Sequence, residues 1–251
     1  MVDLELAGKR ALVTGGSRGI GKAIARVLAG EGARVAIAAR DAARLTAAAA
    51  DLPALTGGDI ATIQFEAGDD DSVRDMVAAA ARSLGGIDIL VNNAAQPGGT
   101  APPNLAAVTT ADFAIDMNVK VMGYLRCAQQ AAPLMAANGW GRIVNIGGHT
   151  AYTTVNMLSS MRVIAAASLT KNLADQLGSA GITVNLVHPG TTRTERTAAE
   201  QAAQPFGNVI GRMVDAEEVA WLVAFLCSPK SAAITGESIG CGGGIRGTIR
   251  Y

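Results

Sequence analysis

Thr14-Gly15-Gly16-Ser17-Arg18-Gly19-Ile20-Gly21 follows the β-branched run 10–14 and opens a stretch of helical period. A glycine-rich turn in that position leaves the first N–H groups of the helix free, and such groups bind phosphate. Gly15 permits the tight turn, Gly19 lets the backbone approach a pyrophosphate, and Gly21 lets the helix lie close against the strand. Along the helix, Ile20, Ile24, Val27 and Leu28 recur at i, i+4, i+7 and i+8, so one face packs on a sheet until Gly30 and Gly32 end it. Gly16-x4-Gly21-Lys22 also nearly spells a nucleoside-triphosphate loop, but Ala23 stands where a magnesium-holding Ser or Thr is needed.

Outward from this unit, short β-branched runs alternate with alanine-rich helical stretches. Strands are expected at 10–14, 34–39, 60–66, 87–92, 142–146, 183–188 and 238–241. That alternation predicts a doubly wound α/β fold, a seven-stranded parallel sheet of Rossmann type. A length of 251 residues suits one domain, 1–251. Residues 96–108 and 191–212 are rich in proline, glycine or polar side chains and read as loops, the second as a substrate loop.

Lys and Arg total 21, as do Asp and Glu, so no electrostatic reason favours a nucleic acid or an anionic membrane, and a small molecule is the expected partner. Cys127, Cys227 and Cys241 lie far apart without a CxxC pair, which indicates neither a disulfide framework nor a zinc site and fits a reducing cytoplasm. Asp3, Glu5, Lys9 and Arg10 break up the amino terminus, leaving no signal-peptide core. The apolar run 219–227 falls well short of the ~20 residues that span a bilayer and reads as a buried helix.

The cofactor preference follows from the end of the second strand. A site for NAD usually places a carboxylate there to hold the ribose 2′-hydroxyl. Here the chain reads Ala38-Ala39-Arg40, with Asp41 just beyond. Arg40 and Arg18 offer two guanidinium forks to a 2′-phosphate, so NADP(H) is expected rather than NAD(H).

Several motifs in order give the chain a resemblance to the short-chain dehydrogenase/reductase family. Residues 14–21 resemble its TGxxxGxG loop, Asn92-Asn93-Ala94-Ala95 its NNAG motif, and Asn118 its active-site asparagine. Residues 141–146 resemble its fifth strand, Pro189-Gly190 with Thr194 its PG-x3-T stretch, and Ile234-Thr235-Gly236 the turn before its last strand. The resemblance implies that the loop residues Gly15, Ser17, Arg18, Gly19, Ile20 and Gly21 hold the cofactor. It also implies Glu66 near the adenine, Asn92 and Ala94 along the ribose, and Pro189, Gly190, Thr192 and Thr194 near the nicotinamide. A homotetramer or homodimer is implied as well.

The family's chemistry uses a serine, a tyrosine that passes the proton, and a lysine one helical turn later whose charge lowers the tyrosine pKa. Counting forward from Ile146, the serine position falls on Gly148. Counting backward from residues 169–174, the tyrosine and lysine positions fall on Ser159 and Val163; counting forward, on Met161 and Ala165. No lysine lies between Lys120 and Lys171, and beyond Tyr124 that interval holds only Tyr152. The YxxxK pair is therefore expected to be absent. Asn118, His149, Tyr152, Ser159, Ser160 and Arg162 remain, with Ser159 and Arg162 on one helix face. Asn118, Tyr152, Ser159 and Arg162 are the candidate catalytic group, although an arginine cannot usefully exchange protons. Two functions follow: an NADP(H)-dependent oxidoreductase with an atypical site acting on a small carbonyl or activated alkene, or an inactive NADP(H)-binding pseudoenzyme that senses or scaffolds.

Overall fold

The computed structural model describes residues 3–52, 60–95, 104–154, 156–195 and 207–246. Its strands, in chain order, are β1 (Arg10–Thr14), β2 (Arg34–Ala39), β3 (Ala61–Gln64), β4 (Ile89–Asn92), β5 (Gly141–Ile146), β6 (Ile182–Pro189), β7 (Thr192–Arg193), β8 (Val214–Asp215) and β9 (Ser238–Cys241). Seven of them form one parallel sheet in the order β3-β2-β1-β4-β5-β6-β9. The order reverses between β1 and β4, and ligands of such sheets bind in the crevice beyond the carboxyl ends of the strands at that point.

The helices are α1 (Gly19–Gly30), α2 (Ala42–Asp51), α3 (Asp70–Leu84), α4 (Thr110–Asp116), α5 (Gly123–Ala137), α6 (Met157–Leu177) and α7 (Ala216–Cys227). Alternation along β1 divides the core. Ala11 and Val13 face Ile24, Val27 and Leu28 of α1 and Val219, Val223 and Leu226 of α7. Leu12 faces the other layer, with Met76 and Ala80 of α3, Cys127 and Ala131 of α5 and Ala174 of α6. Five expected strands, at 10–14, 34–39, 142–146, 183–188 and 238–241, agree within one residue; those expected at 60–66 and 87–92 are shorter than their apolar runs.

Two details differ from the sequence reading. Part of the expected loop 191–212 is β7, which pairs with β8 over two residues, too short to leave a periodic signal. Residues 196–206 of that loop, and 96–103 of the other, lie outside the described residues. A six-residue π-helical turn, Met117–Met122, joins α4 to α5. No helix among the described residues is long and apolar enough to cross a membrane.

One ion pair ties β1 to the start of β4. The Arg10 Nε and Nη2 donate to Asp88 at 2.8 and 2.6 Å, and the Arg10 amide adds a third bond to the same carboxylate at 2.9 Å. Burial alone would raise the Asp88 carboxyl, but the Arg10 bonds outweigh it and hold the group below the usual carboxylate range. A depressed carboxylate stabilises the fold above its unfolded pKa, and that contribution is lost as pH falls through the folded one. Asp88→Asn is therefore expected to lower stability at pH 7 by roughly 2 kcal/mol. In urea denaturation that difference should shrink on acidification below about pH 4, and a deficit independent of pH would refute the assignment.

Candidate active site

The carboxyl ends of β1, β2, β4, β5 and β6 open into one cleft of about 900 Å³. At its outer end the glycine loop is held from behind. The buried Thr14 hydroxyl donates to the Val91 carbonyl at 3.2 Å and accepts from the Asn93 and Ala94 amides at 3.0 and 3.1 Å. Asn93 Nδ2 returns two bonds of 3.1 Å, to the Thr14 and Gly15 carbonyls. A Cβ on Gly21 would stand 2.2 Å from the Gly15 carbonyl oxygen, so only glycine allows α1 to start this close to β1. Gly15 itself has φ +65°.

Helix α1 has no side-chain cap of its own. Instead the Gly19 amide donates to the Glu195 carboxylate at 2.8 Å, from the segment that follows β7. An anionic group thus stands on the helix start where the sequence predicts phosphate. Arg18, Arg40 and Arg44 line the cleft nearby. Asp41, the only carboxylate at the end of β2, caps α2 by accepting from the Arg44 amide at 3.1 Å and pairs with the Arg44 guanidinium at 3.2 Å.

The inner end is walled by Gly147, Gly148, His149 and Thr150 after β5, by Ser159, Arg162 and Val163 of α6, and by Lys120 of the π-helical turn. Lys120 is 4% exposed and donates from Nζ to the Gly147 carbonyl at 2.9 Å. Arg162, 6% exposed, donates to Ser159 Oγ at 3.2 Å and pairs with buried Asp116 at 3.3 Å. Burial, followed by the Arg162 charge, pushes the Lys120 ammonium down to about 7, with Asp116 acting in the opposite direction. Burial pushes the neighbouring Tyr124 phenol up, and its hydroxyl donates to the Ile146 carbonyl at 2.8 Å.

The chain matches a family model described as enoyl-(acyl carrier protein) reductase over residues 15–246. It is 35% identical to a 3-oxoacyl-[acyl-carrier-protein] reductase of Vibrio cholerae, covering 96% of this chain and 99% of the relative. A Burkholderia cenocepacia short-chain dehydrogenase solved in complex with NADP aligns with a TM-score of 0.85 at 40% identity, over 95% of this chain and 98% of that one. The L-sorbose reductase of Gluconobacter frateurii, complexed with NADPH and L-sorbose, aligns with a TM-score of 0.91 at 27% identity, over 99% and 100%. The chain belongs to the short-chain dehydrogenase/reductase family.

Most of the expected site residues of this family member meet in the cleft: Gly15, Ser17, Arg18, Gly19, Ile20, Arg40, Glu66, Ala94, Pro189, Gly190, Thr192, Thr194, Ser159 and Arg162 all line it. Four stand elsewhere. Gly21 packs behind the loop, where the close approach to Gly15 fixes it. Asn92 is buried in the sheet and donates to Asn145 Oδ1 at 2.9 Å, while Asn93, Ala94 and Ala95 form the wall. Asn118, in the π-helical turn, donates to the Gly68 carbonyl at 3.1 Å and accepts from Arg126 at 2.8 Å, and these two bonds engage its side chain away from the cleft. Tyr152 packs edge-on against His188, with ring centroids 5.1 Å apart.

Of the two ways of counting along α6, the structure turns Ser159 and Val163 toward the cleft and leaves Met161 exposed. The sequence reading missed Lys120, Arg44 and Glu195. For Lys120 the one signal was a lysine set between Val119 and Val121 in an apolar stretch. A lysine whose folded pKa lies below its unfolded one opposes folding most strongly below the folded value and less as pH rises toward the unfolded one. Lys120→Met should therefore be more stable than the unaltered chain at pH 7, and its advantage should fall by roughly 2 kcal/mol by pH 9. Denaturation curves at the two pH values check this; a constant difference would mean that the lysine titrates normally.

Proposed function

We propose that this chain is an NADP(H)-dependent oxidoreductase that reduces a small carbonyl or activated alkene. In this reading one domain holds the whole site, and its acid–base groups differ from the family's tyrosine and lysine. The observation that carries the reading is the single cleft joining an anion-binding helix start and three arginines to a buried polar group at its inner end. The residues present fit the cofactor. Glycines give the backbone close approach, the α1 amide already donates to a carboxylate that stands in for phosphate, and the Asp41 carboxylate is engaged by α2 rather than presented to a ribose. The cofactor of the Burkholderia relative, NADP, supports the same choice.

When bound, NADPH supplies the hydride. Arg18, Arg40 and Arg44 would hold the 2′-phosphate, each as a charge-assisted donor. Glu195 would leave the Gly19 amide as the pyrophosphate arrives. Ser159 would hydrogen-bond the substrate oxygen, and Arg162, held by Asp116, would stabilise negative charge there without giving up a proton.

The pseudoenzyme reading is favoured by one observation, the absence of a hydroxyl at Gly148 and of a phenol at Ser159. Binding of NADPH without its consumption against carbonyl and enoyl substrates would select it. An assembly of two or four copies also belongs to this proposal. Trp221 and Phe225, one turn apart on α7, are 49% and 38% exposed, and light scattering measures the assembly directly.

Removing one charge-assisted phosphate contact of about 1.5–3 kcal/mol should weaken binding roughly 10- to 100-fold. Arg40→Ala is therefore expected to raise the NADPH Kd by that factor in a fluorescence titration while leaving NADH nearly unaffected. Equal weakening of both nucleotides would place Arg40 away from the 2′-phosphate. Glu195→Gln should tighten NADPH binding several-fold, because a neutral amide competes less well for the helix start; unchanged affinity would remove Glu195 from the phosphate site.

A further inference from the structure

We propose that Lys120 is the catalytic acid–base group of this chain, giving a proton from Nζ to the oxygen of a ketone or aldehyde as it is reduced. The inference rests on the oxidoreductase reading above and assigns the proton donor that the reading lacks.

The geometry isolates this side chain. Lys120 comes from the π-helical turn, a departure from α-helical phase that recurs at functional sites. Its bond to the Gly147 carbonyl, at the carboxyl end of β5, uses one of three ammonium hydrogens and holds Nζ beside Gly147, and both residues line the inner end of the cleft. Ser159 and Arg162 line the same wall. The charged and titratable groups around Lys120 are Asp116 on its own helical run, Tyr124 one turn on, and Arg162 from α6.

Each neighbour is poorly suited to the proton transfer. A guanidinium serves as an electrostatic partner and not as a proton donor, which sets Arg162 aside. The Tyr124 phenol is committed to the Ile146 carbonyl and raised by burial, and the Ser159 hydroxyl is too weak an acid without a base beside it. Asp116 lies against Arg162 and does not line the cleft. His149 does line it, but its ring is wedged against Gly190 and Gly242, where a Cβ on Gly242 would lie 1.9 Å from the imidazole. Lys120, pushed down to about 7, is placed where a general acid works best near neutrality.

The balance is that of any carbonyl reduction. A hydride from NADPH adds one hydrogen and two electrons to the carbonyl carbon, and the C=O π pair moves to oxygen. The oxygen takes one proton from the Lys120 ammonium, leaving a neutral amine that regains a proton from water. In the reverse direction the neutral amine takes the alcohol proton.

Two measurements test this. The first needs no substrate: the rate at which fluorodinitrobenzene labels Lys120, followed by peptide mass spectrometry across pH, should give half-reactivity near pH 7, with protection by NADP. Half-reactivity near 10, or labelling indifferent to NADP, would overturn the assignment. The second measures kcat/KM for 9,10-phenanthrenequinone and a panel of simple ketones at saturating NADPH. The unaltered chain should lose activity about tenfold per pH unit above about 7. Lys120→Arg should bind NADPH normally, lose at least about 100-fold in kcat and show no such limb.

Retention of the limb in Lys120→Arg with its loss in His149→Gln would move the role to His149. NADPH binding by the unaltered chain without reduction of any ketone would also overturn the role, whereas failure to bind NADPH would take the oxidoreductase reading with it.

Discussion

The start of α1 lies so close to β1 that no side chain fits between Gly21 and the Gly15 carbonyl, and most of the site follows from that approach. The helix begins without a cap of its own, so its first amide must find an acceptor elsewhere. Glu195 supplies one from the segment beyond β6, more than 170 positions along the chain. Sheet order makes this possible, because β1 lies beside β4, β4 beside β5 and β5 beside β6, so their carboxyl ends share one edge. Thr14 and Asn93 then lock the β1 and β4 ends together through side-chain bonds to backbone. A cleft built in this way has a rigid floor and an anion site whose tenant comes from a surface segment.

How much of this was legible follows from which signals are local. The short apolar run of β1 and the period near 3.6 along α1 each depend on a few neighbouring residues, so the sheet and its first helix could be read directly. The glycine spacing and Arg40 were legible because a strand–turn–helix unit places them by connectivity alone. Asn118 was misplaced for a physical reason. The resemblance assigns Asn118 by its place in a motif, whereas its side chain is bonded to Gly68 and Arg126 and it is Val119 and Lys120 of the same π-helical turn that line the cleft.

Asn92 illustrates a different limit. Its place at the end of β4 was read correctly, but a strand alternates faces and depths, and the sheet's own polar pair with Asn145 claims its side chain. Tyr152 was near the cleft in sequence but is packed by His188, a partner 36 positions away that no local pattern signals. Glu195 and Arg44 join the site through surface geometry rather than through any repeat.

The inner end of the cleft sets two cations against one buried carboxylate. Removing such charges from water is unfavourable, and apolar residues of similar volume would serve packing at least as well, so stability does not account for the arrangement. With Asp116 fixed beside Arg162, the local charge balances only if one cation gives up its proton. Arginine does not do so near neutral pH, because its charge is delocalised over the guanidinium plane. Lysine does, because burial penalises its compact ammonium and the neutral amine still hydrogen-bonds. Arg162 thus bears on the proposed chemistry through Lys120, whose ammonium its charge, after burial, helps to push down.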